Sequence, residues 1–209
     1  MTIGDRIRAL RAELPPRVTL VAVSKMHPAE AIREAYAAGQ RDFGENYAQE
    51  WRAKADALAD LTELRWHFIG GLQTNKVKYV AGRVAYVHTV DREELARELS
   101  KRLAQRGATA RVFLEVNVGG EASKEGCAPD EAPALAEALT RLPGLELAGL
   151  MCIPPAGVDP RPHFRQLRGL AERLGLRELS MGMSADWRIA LEEGATFIRI
   201  GTAIFGERS

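Results

Sequence analysis

Lys25 is one of six lysines in a chain that carries 23 arginines, and it follows directly on the apolar run 18–23. An ammonium drawn out of water loses its proton more readily, and the neutral amine attacks an aldehyde to form an imine. Lys25 is therefore a candidate Schiff-base nucleophile. The alternative from position alone is a rim lysine that snorkels to solvent or pairs with Glu45. Ser180-Met181-Gly182-Met183-Ser184 suggests anion binding, because a glycine turn running into a helix start exposes backbone N–H groups, with Ser184 as a candidate N-cap. An ordinary capped helix would use the same residues. Gly201-Thr202 follows the next strand-like run and adds a second small-residue loop of the same kind. Arg199 sits within the apolar stretch 197–204, a costly place for a permanent charge without a partner. It either meets a ligand or forms a buried ion pair, for example with Glu115.

These residues need a scaffold that gathers them. Short apolar runs at 18–24, 42–44, 66–70, 85–89, 111–117, 145–151, 178–181 and 197–200 alternate with helical patterns, which is the rhythm of parallel βα units. Val112, Phe113, Leu114, Val116 and Val118 barely alternate with polar residues, as expected for a strand covered on both faces. Pro28 is expected to open one helix at its first position and Gly39 to stop it. Asp91 is expected to cap the next clear helix, with Glu94 completing a capping box and Leu95, Leu99 and Leu103 on one face. A later helix should begin near Ser184, turn Ile189, Ala190 and Leu191 inward, and end at Gly194. The opening helix, 3–14, is placed across the bottom of the sheet.

Eight such units close most economically as a TIM-type (β/α)8 barrel, with an open doubly wound sheet as the runner-up. A single domain over 1–209 is expected. Barrels bind ligands at the C-terminal ends of their strands, frequently holding phosphate on the loops after strands seven and eight, where the 180–184 and 201–202 segments fall.

With 29 basic and 28 acidic residues and a formal charge of +1, the chain offers no field to draw nucleic acid or an anionic membrane. Cys127 and Cys152 are too few for a disulfide scaffold or zinc cage, and the histidines show no metal-ligand spacing. His67 and His88 are expected to be structural or solvated, and Cys152 a buried thiol near the pocket. No stretch reads as a signal core or membrane span, so a cytoplasmic protein acting on small molecules is expected.

Taken in order, Ala22-Val23-Ser24-Lys25, Phe43-Gly44-Glu45-Asn46-Tyr47, His67-Phe68-Ile69-Gly70, Leu72-Gln73 and Asn75-Lys76 resemble the pyridoxal phosphate homeostasis proteins. The likeness continues through Asn117, Glu121, Lys124, Gly126, Gly149-Leu150-Met151, Ser180 to Ser184 with Asp186, Arg199-Ile200-Gly201-Thr202 and Phe205-Gly206. The resemblance implies a barrel like the N-terminal domain of alanine racemase, with pyridoxal 5′-phosphate (PLP) held as a Schiff base on Lys25. It further implies that Ser184, Gly201 and Thr202 hold the phosphate and that Arg199 faces the pyridine nitrogen. Asn46, Met183 and Ile69 would line the ring. Two departures are Gly71, where many members carry proline, and a shorter tract at 154–162.

The resemblance implies a role in PLP homeostasis, as a buffer or carrier that influences amino-acid pools, with PLP-dependent apo-enzymes as candidate recipients. The chain is expected to be a monomer, a dimer being compatible with its composition. No catalytic residue is assigned. The alternatives are a PLP-dependent racemase, which needs a second acid/base that only Tyr47 is placed to supply, and a Schiff-base aldolase acting on a sugar phosphate.

Overall fold

Eight short strands carry the apolar runs: β1 (Thr19–Val23), β2 (Asp42–Glu45), β3 (Arg65–Phe68), β4 (Tyr86–Val90), β5 (Ala110–Glu115), β6 (Leu145–Met151), β7 (Glu178–Ser180) and β8 (Phe197–Ile200). In the computed structural model, which describes residues 1–121 and 124–207, they pair in parallel in chain order, and β8 returns to β1 with Thr19 opposite Phe197 and Ala22 opposite Ile200. The sheet is thus a closed barrel, and the open-sheet alternative is excluded. Ser209 and three other residues, Ala122, Ser123 and Arg208, lie outside the described part. The strands match expectation to within a few residues, but Ile69, Gly70, Asn117 and Met181 fall just beyond strand ends, in the rim loops.

Two apolar cores follow from the alternation of side chains along each strand. The larger lies between barrel and helices and takes in Leu20, Ala22, Phe43, Trp51, Leu114 and Ile198. The smaller is the barrel interior, where Val21, Phe113, Met151 and Phe197 meet. Aromatic rings fill this interior: His67 stacks on Tyr86 with centroids 4.6 Å apart, His88 on Phe113 at 4.5 Å, and Phe113 meets Phe197 edge-on at 5.1 Å. His67 and His88 are fully buried, so the structural reading of these two histidines holds and the solvated one does not.

The outer layer is formed by α1 (Ile3–Glu13), α2 (Ala29–Ala37), α3 (Ala48–Ala57), α4 (Val77–Val80), α5 (Glu93–Arg106), α6 (Ala132–Thr140), α7 (Arg161–Arg173), α8 (Trp187–Glu192) and the short α9 (Thr202–Phe205). Three local expectations are corrected. The α5 cap fails because the Asp91 carboxylate binds the Arg92 guanidinium at 2.7 Å, and Arg92 occupies the cap position. Pro28 sits at the N-cap of α2, one position before the first turn. The opening helix α1 lies in the outer ring rather than beneath the barrel. Its Thr2–Asp5 capping box starts it, Ile3 donates to Glu34 at 2.9 Å, and Arg6 donates to the Ile204 carbonyl at 3.1 Å, fixing it between α2 and α9.

Candidate functional site

A cavity of about 160 Å³ opens at the C-terminal mouth of the barrel. Lys25, Asn46, Ile69, Met183, Ser184, Arg199, Gly201 and Thr202 all line it, together with Val23 and Ile153. The loops after β1, β2, β3, β6, β7 and β8 thus converge, and the eight residues expected to bind the cofactor contribute to one concave surface.

Lys25 leaves the end of β1 on a backbone held at both sides. The carbonyl of Ser24 before it accepts from Lys54 Nζ at 2.6 Å, and the amide of Met26 after it donates to Glu50 Oε1 at 2.5 Å. Met26 takes a left-handed φ of 62°, a conformation that costs a non-glycine residue about a kcal/mol or more and persists only where neighbours enforce it. Lys54 is itself buried, and its ammonium also binds Glu45 and Glu50, each at 2.7 Å. The Ser24 hydroxyl donates to the same Glu45 oxygen at 2.7 Å. Burial pushes the Glu45 carboxyl upward, against the pull of Lys54. Sequence reading missed this clamp, since Lys54 is an ordinary helix lysine by pattern and only the packing of α3 on β2 buries it.

Opposite Lys25, the loop after β7 is shaped by Gly182, whose φ of 93° suits glycine and whose place an added Cβ would take within 2.6 Å of the Ala190 side chain. Ser184 is not the cap of α8. Asp186 holds that position and bends back to accept from the Met183 amide at 2.6 Å, which leaves Ser184 exposed at the cavity edge. Ala190 is buried as expected, while Ile189 and Leu191 are only half-buried. Gly201 begins α9 and packs on β1, with the Val23 carbonyl 3.2 Å from where a Cβ would stand. The first-turn amides of such a helix have no carbonyl partner within it.

Arg199 enters from β8 and is buried. Its Nη1 donates to the carbonyl and hydroxyl oxygens of Ser180 at 2.8 and 2.6 Å, and Nη2 donates to the Cys152 carbonyl at 3.0 Å. Among the described residues none of its hydrogen bonds goes to a carboxylate, so the Glu115 ion pair does not form. Burial draws the guanidinium below its usual range. Glu115 is also buried, and desolvation followed by the charges of Glu125 and Asp91 pushes its carboxyl up to about 8, despite Arg199. Cys152 serves the site through its carbonyl, while burial pushes its thiol up to about 12. Asn46 carries a buried Oδ1 that meets no donor among the described residues, an unused acceptor on the cavity wall. Gly71 leaves room for Glu125, whose carboxylate would lie 2.2 Å from an added Cβ. Lys124 and Glu121 pair at 2.6 Å in the loop after β5. Among the described residues no cluster of three potential metal ligands occurs, and no helix is long and apolar enough to cross a membrane.

Residues 2–209 match the family described as alanine racemase, N-terminal domain. The chain is 53% identical over 199 residues to the pyridoxal phosphate homeostasis protein of Pseudomonas aeruginosa, covering 93% of this chain and 86% of that one. It is 48% identical over 198 residues to the protein of the same name from Aquifex aeolicus, covering 90% and 86%. Among solved structures, PipY of Synechococcus elongatus with PLP bound superposes with a TM-score of 0.92 at 42% identity, covering 98% of this chain and all of that one. Alanine racemase of Clostridium difficile shares the fold with a TM-score of 0.81 at 13% identity, and this chain spans 56% of its length. The chain belongs to the alanine racemase N-terminal domain family and, within it, to the pyridoxal phosphate homeostasis proteins.

Proposed function

We propose that the chain binds PLP in this cavity as a Schiff base on Lys25 and acts in the cytoplasm as a buffer or carrier of the cofactor. The observation that supports this best is the convergence on one cavity of an amine, two small-residue loops and a buried guanidinium, the donor set that an aldehyde, a phosphate and a pyridine nitrogen require. The unpartnered Asn46 Oδ1 gives the cavity a further polar contact for a ring substituent that donates. The PLP-bound relative at 42% identity supports the same reading.

In this reading Lys25 captures the aldehyde, and the clamp of Lys54 and Glu50 orients its backbone. Ser184, Thr202 and the amides around Gly201 take the phosphate, while Ile69, Met183 and Asn46 hold the ring. Arg199 faces the pyridine nitrogen and, because a guanidinium keeps its protons, leaves that nitrogen unprotonated. PLP supplies an electrophilic aldehyde and an electron sink, and an unprotonated ring weakens the sink.

No residue is assigned a catalytic role. Two-base racemisation needs an acid/base on each face of the substrate carbon. Tyr47, the candidate second base, is 56% exposed at the N-cap of α3 and does not line the cavity. PLP-dependent apo-enzymes are the proposed recipients. The test compares the purified protein with its Lys25→Ala variant, each reconstituted with PLP and desalted. A visible imine band in the first alone supports the reading, and a colourless wild-type protein would return the sugar-phosphate aldolase to the lead. Transfer of the bound PLP to an apo-enzyme, against turnover of amino acids by the protein itself, then separates carrier from racemase.

A further inference from the structure

The interior of the barrel holds a row of polar groups that do not line the cavity and reach it only through Arg199. At the N-terminal end, Asp42 accepts from Arg65 Nε and Nη2 at 2.8 and 2.6 Å. The same carboxylate lies 3.0 Å from His67 Nε2, His67 Nδ1 lies 3.0 Å from His88 Nε2, and His88 Nδ1 lies 2.8 Å from Ser180 Oγ. Ser180 Oγ in turn accepts from Arg199 at 2.6 Å. The row thus runs from the bottom of the barrel to the cavity through five strands, β2, β3, β4, β7 and β8.

The donors in this row are fixed by chemistry at its two ends. An ionised carboxylate only accepts, so His67 carries its proton on Nε2 and offers Nδ1 as an acceptor. His88 must then donate from Nε2, which leaves its Nδ1 to accept the Ser180 hydroxyl proton. The remaining lone pairs of Ser180 face Arg199, which can only donate. Working from Asp42 upward therefore ends on an acceptor where the guanidinium demands one, and every link is satisfied with both imidazoles neutral.

We propose that His67, His88 and Ser180 are positioning residues: a head-to-tail hydrogen-bond chain anchored on Asp42 fixes the Arg199 guanidinium at the cavity and carries the polarisation of a distant carboxylate to it. The chain solves a specific problem. An arginine set against a pyridine nitrogen needs an orienting partner, while a carboxylate bound directly to it would compete with the ring for its N–H groups. Ser180 and Cys152 occupy three of the guanidinium hydrogens, and the Nε hydrogen and one on Nη2 are left to meet a ligand acceptor. Charge-assisted bonds in a desolvated interior are stronger than their counterparts in water, so the arrangement is stiff. Because arginine cannot accept a proton, the row does not conduct protons to the cavity; it orients and polarises.

The consequence for the cofactor rests on the PLP reading above, whereas the proton pattern is a property of the protein alone. Long-range ¹H–¹⁵N correlation on the labelled, cofactor-depleted protein should show His67 and His88 each protonated on Nε2 only. A proton on Nδ1 of either ring would overturn the chain. With PLP labelled at its ring nitrogen, Ser180→Ala and His88→Phe should each shift that nitrogen's resonance and weaken PLP retention roughly tenfold, with Lys25 still capturing the aldehyde. An unchanged ring-nitrogen signal in both variants would contradict the role in positioning. Failure of the wild-type protein to retain PLP would count against the cofactor reading, with the histidine pattern still deciding the chain.

Discussion

Each candidate ligand-binding residue was legible in the sequence because it stands at the end of an apolar run, where a parallel barrel exposes its C-terminal rim. Their supporting residues were not, because their meaning lies in partners far along the chain. His88 and Ser180 are 92 positions apart, and Lys54 acts on Ser24 across 30. Glu115 illustrates the energetic side of burial. Its carboxyl is protonated in the folded protein up to about pH 8, whereas in the unfolded chain it ionises from about 4.5 upward. The unfolded state therefore binds fewer protons across that window, and stability falls as pH rises through it. Glu115→Gln keeps the shape and removes the ionisation. Denaturant unfolding of the cofactor-depleted protein should show the variant more stable by on the order of 2–4 kcal/mol at pH 8 and nearly equal to wild type at pH 4.5. Equal stability at both pH values would contradict the assignment.

At the scale of elements, hydrophobic period and glycine punctuation were enough to place eight strands and the helices between them, since both depend on local spacing. Helix starts were less legible. Asp91 and Ser184 have the side chains that cap helices, yet Arg92 draws off the first and Asp186 displaces the second. The placement of α1 was invisible for a different reason: its position is set by hydrogen bonds to α2 and to the Ile204 carbonyl, which no periodicity encodes. Rim loops depend on close backbone approach, and Gly70 is the tightest case at the site. A Cβ there would stand 2.3 Å from the Asn46 carbonyl oxygen, so the loops after β2 and β3 would have to separate. Gly70→Ala should move Asn46 and Ile69 out of place and weaken PLP binding by roughly tenfold or more, with the barrel still folded by circular dichroism. Unaltered affinity in that variant would show that these loops do not shape the site.

For the molecule as a whole, closure of the barrel places a polar row inside a hydrophobic tube, and this sets its response to acid. Burial, opposed by Asp42, draws His67 below its ordinary value of 6.5, and burial, with the closeness of a second imidazole at His67 and of the Arg199 guanidinium, draws His88 well below it. The unfolded chain takes up protons at these rings as pH falls below about 6.5 while the folded protein does not, so their contribution is present above that pH and lost beneath it. Asp42 adds a second loss: against its own burial, the hydrogen bonds from His67 and Arg65 hold it at about 2, so its contribution fades as pH falls from 3.8 toward that value. In the Glu115→Gln background, which removes the carboxyl whose contribution runs the other way, thermal unfolding should show the melting temperature declining from pH 6.5 downward, with a shallower slope once His88→Phe is added. A melting temperature constant from pH 6.5 to 4.5 in that background would contradict neutral buried imidazoles. Above all of these stands the claim that one lysine at the barrel mouth carries the cofactor. Borohydride reduction of the PLP-loaded protein followed by peptide mapping tests it most directly: the account predicts a phosphopyridoxyl group on Lys25, and a modification confined to any of the other five lysines, or none at all, would contradict it.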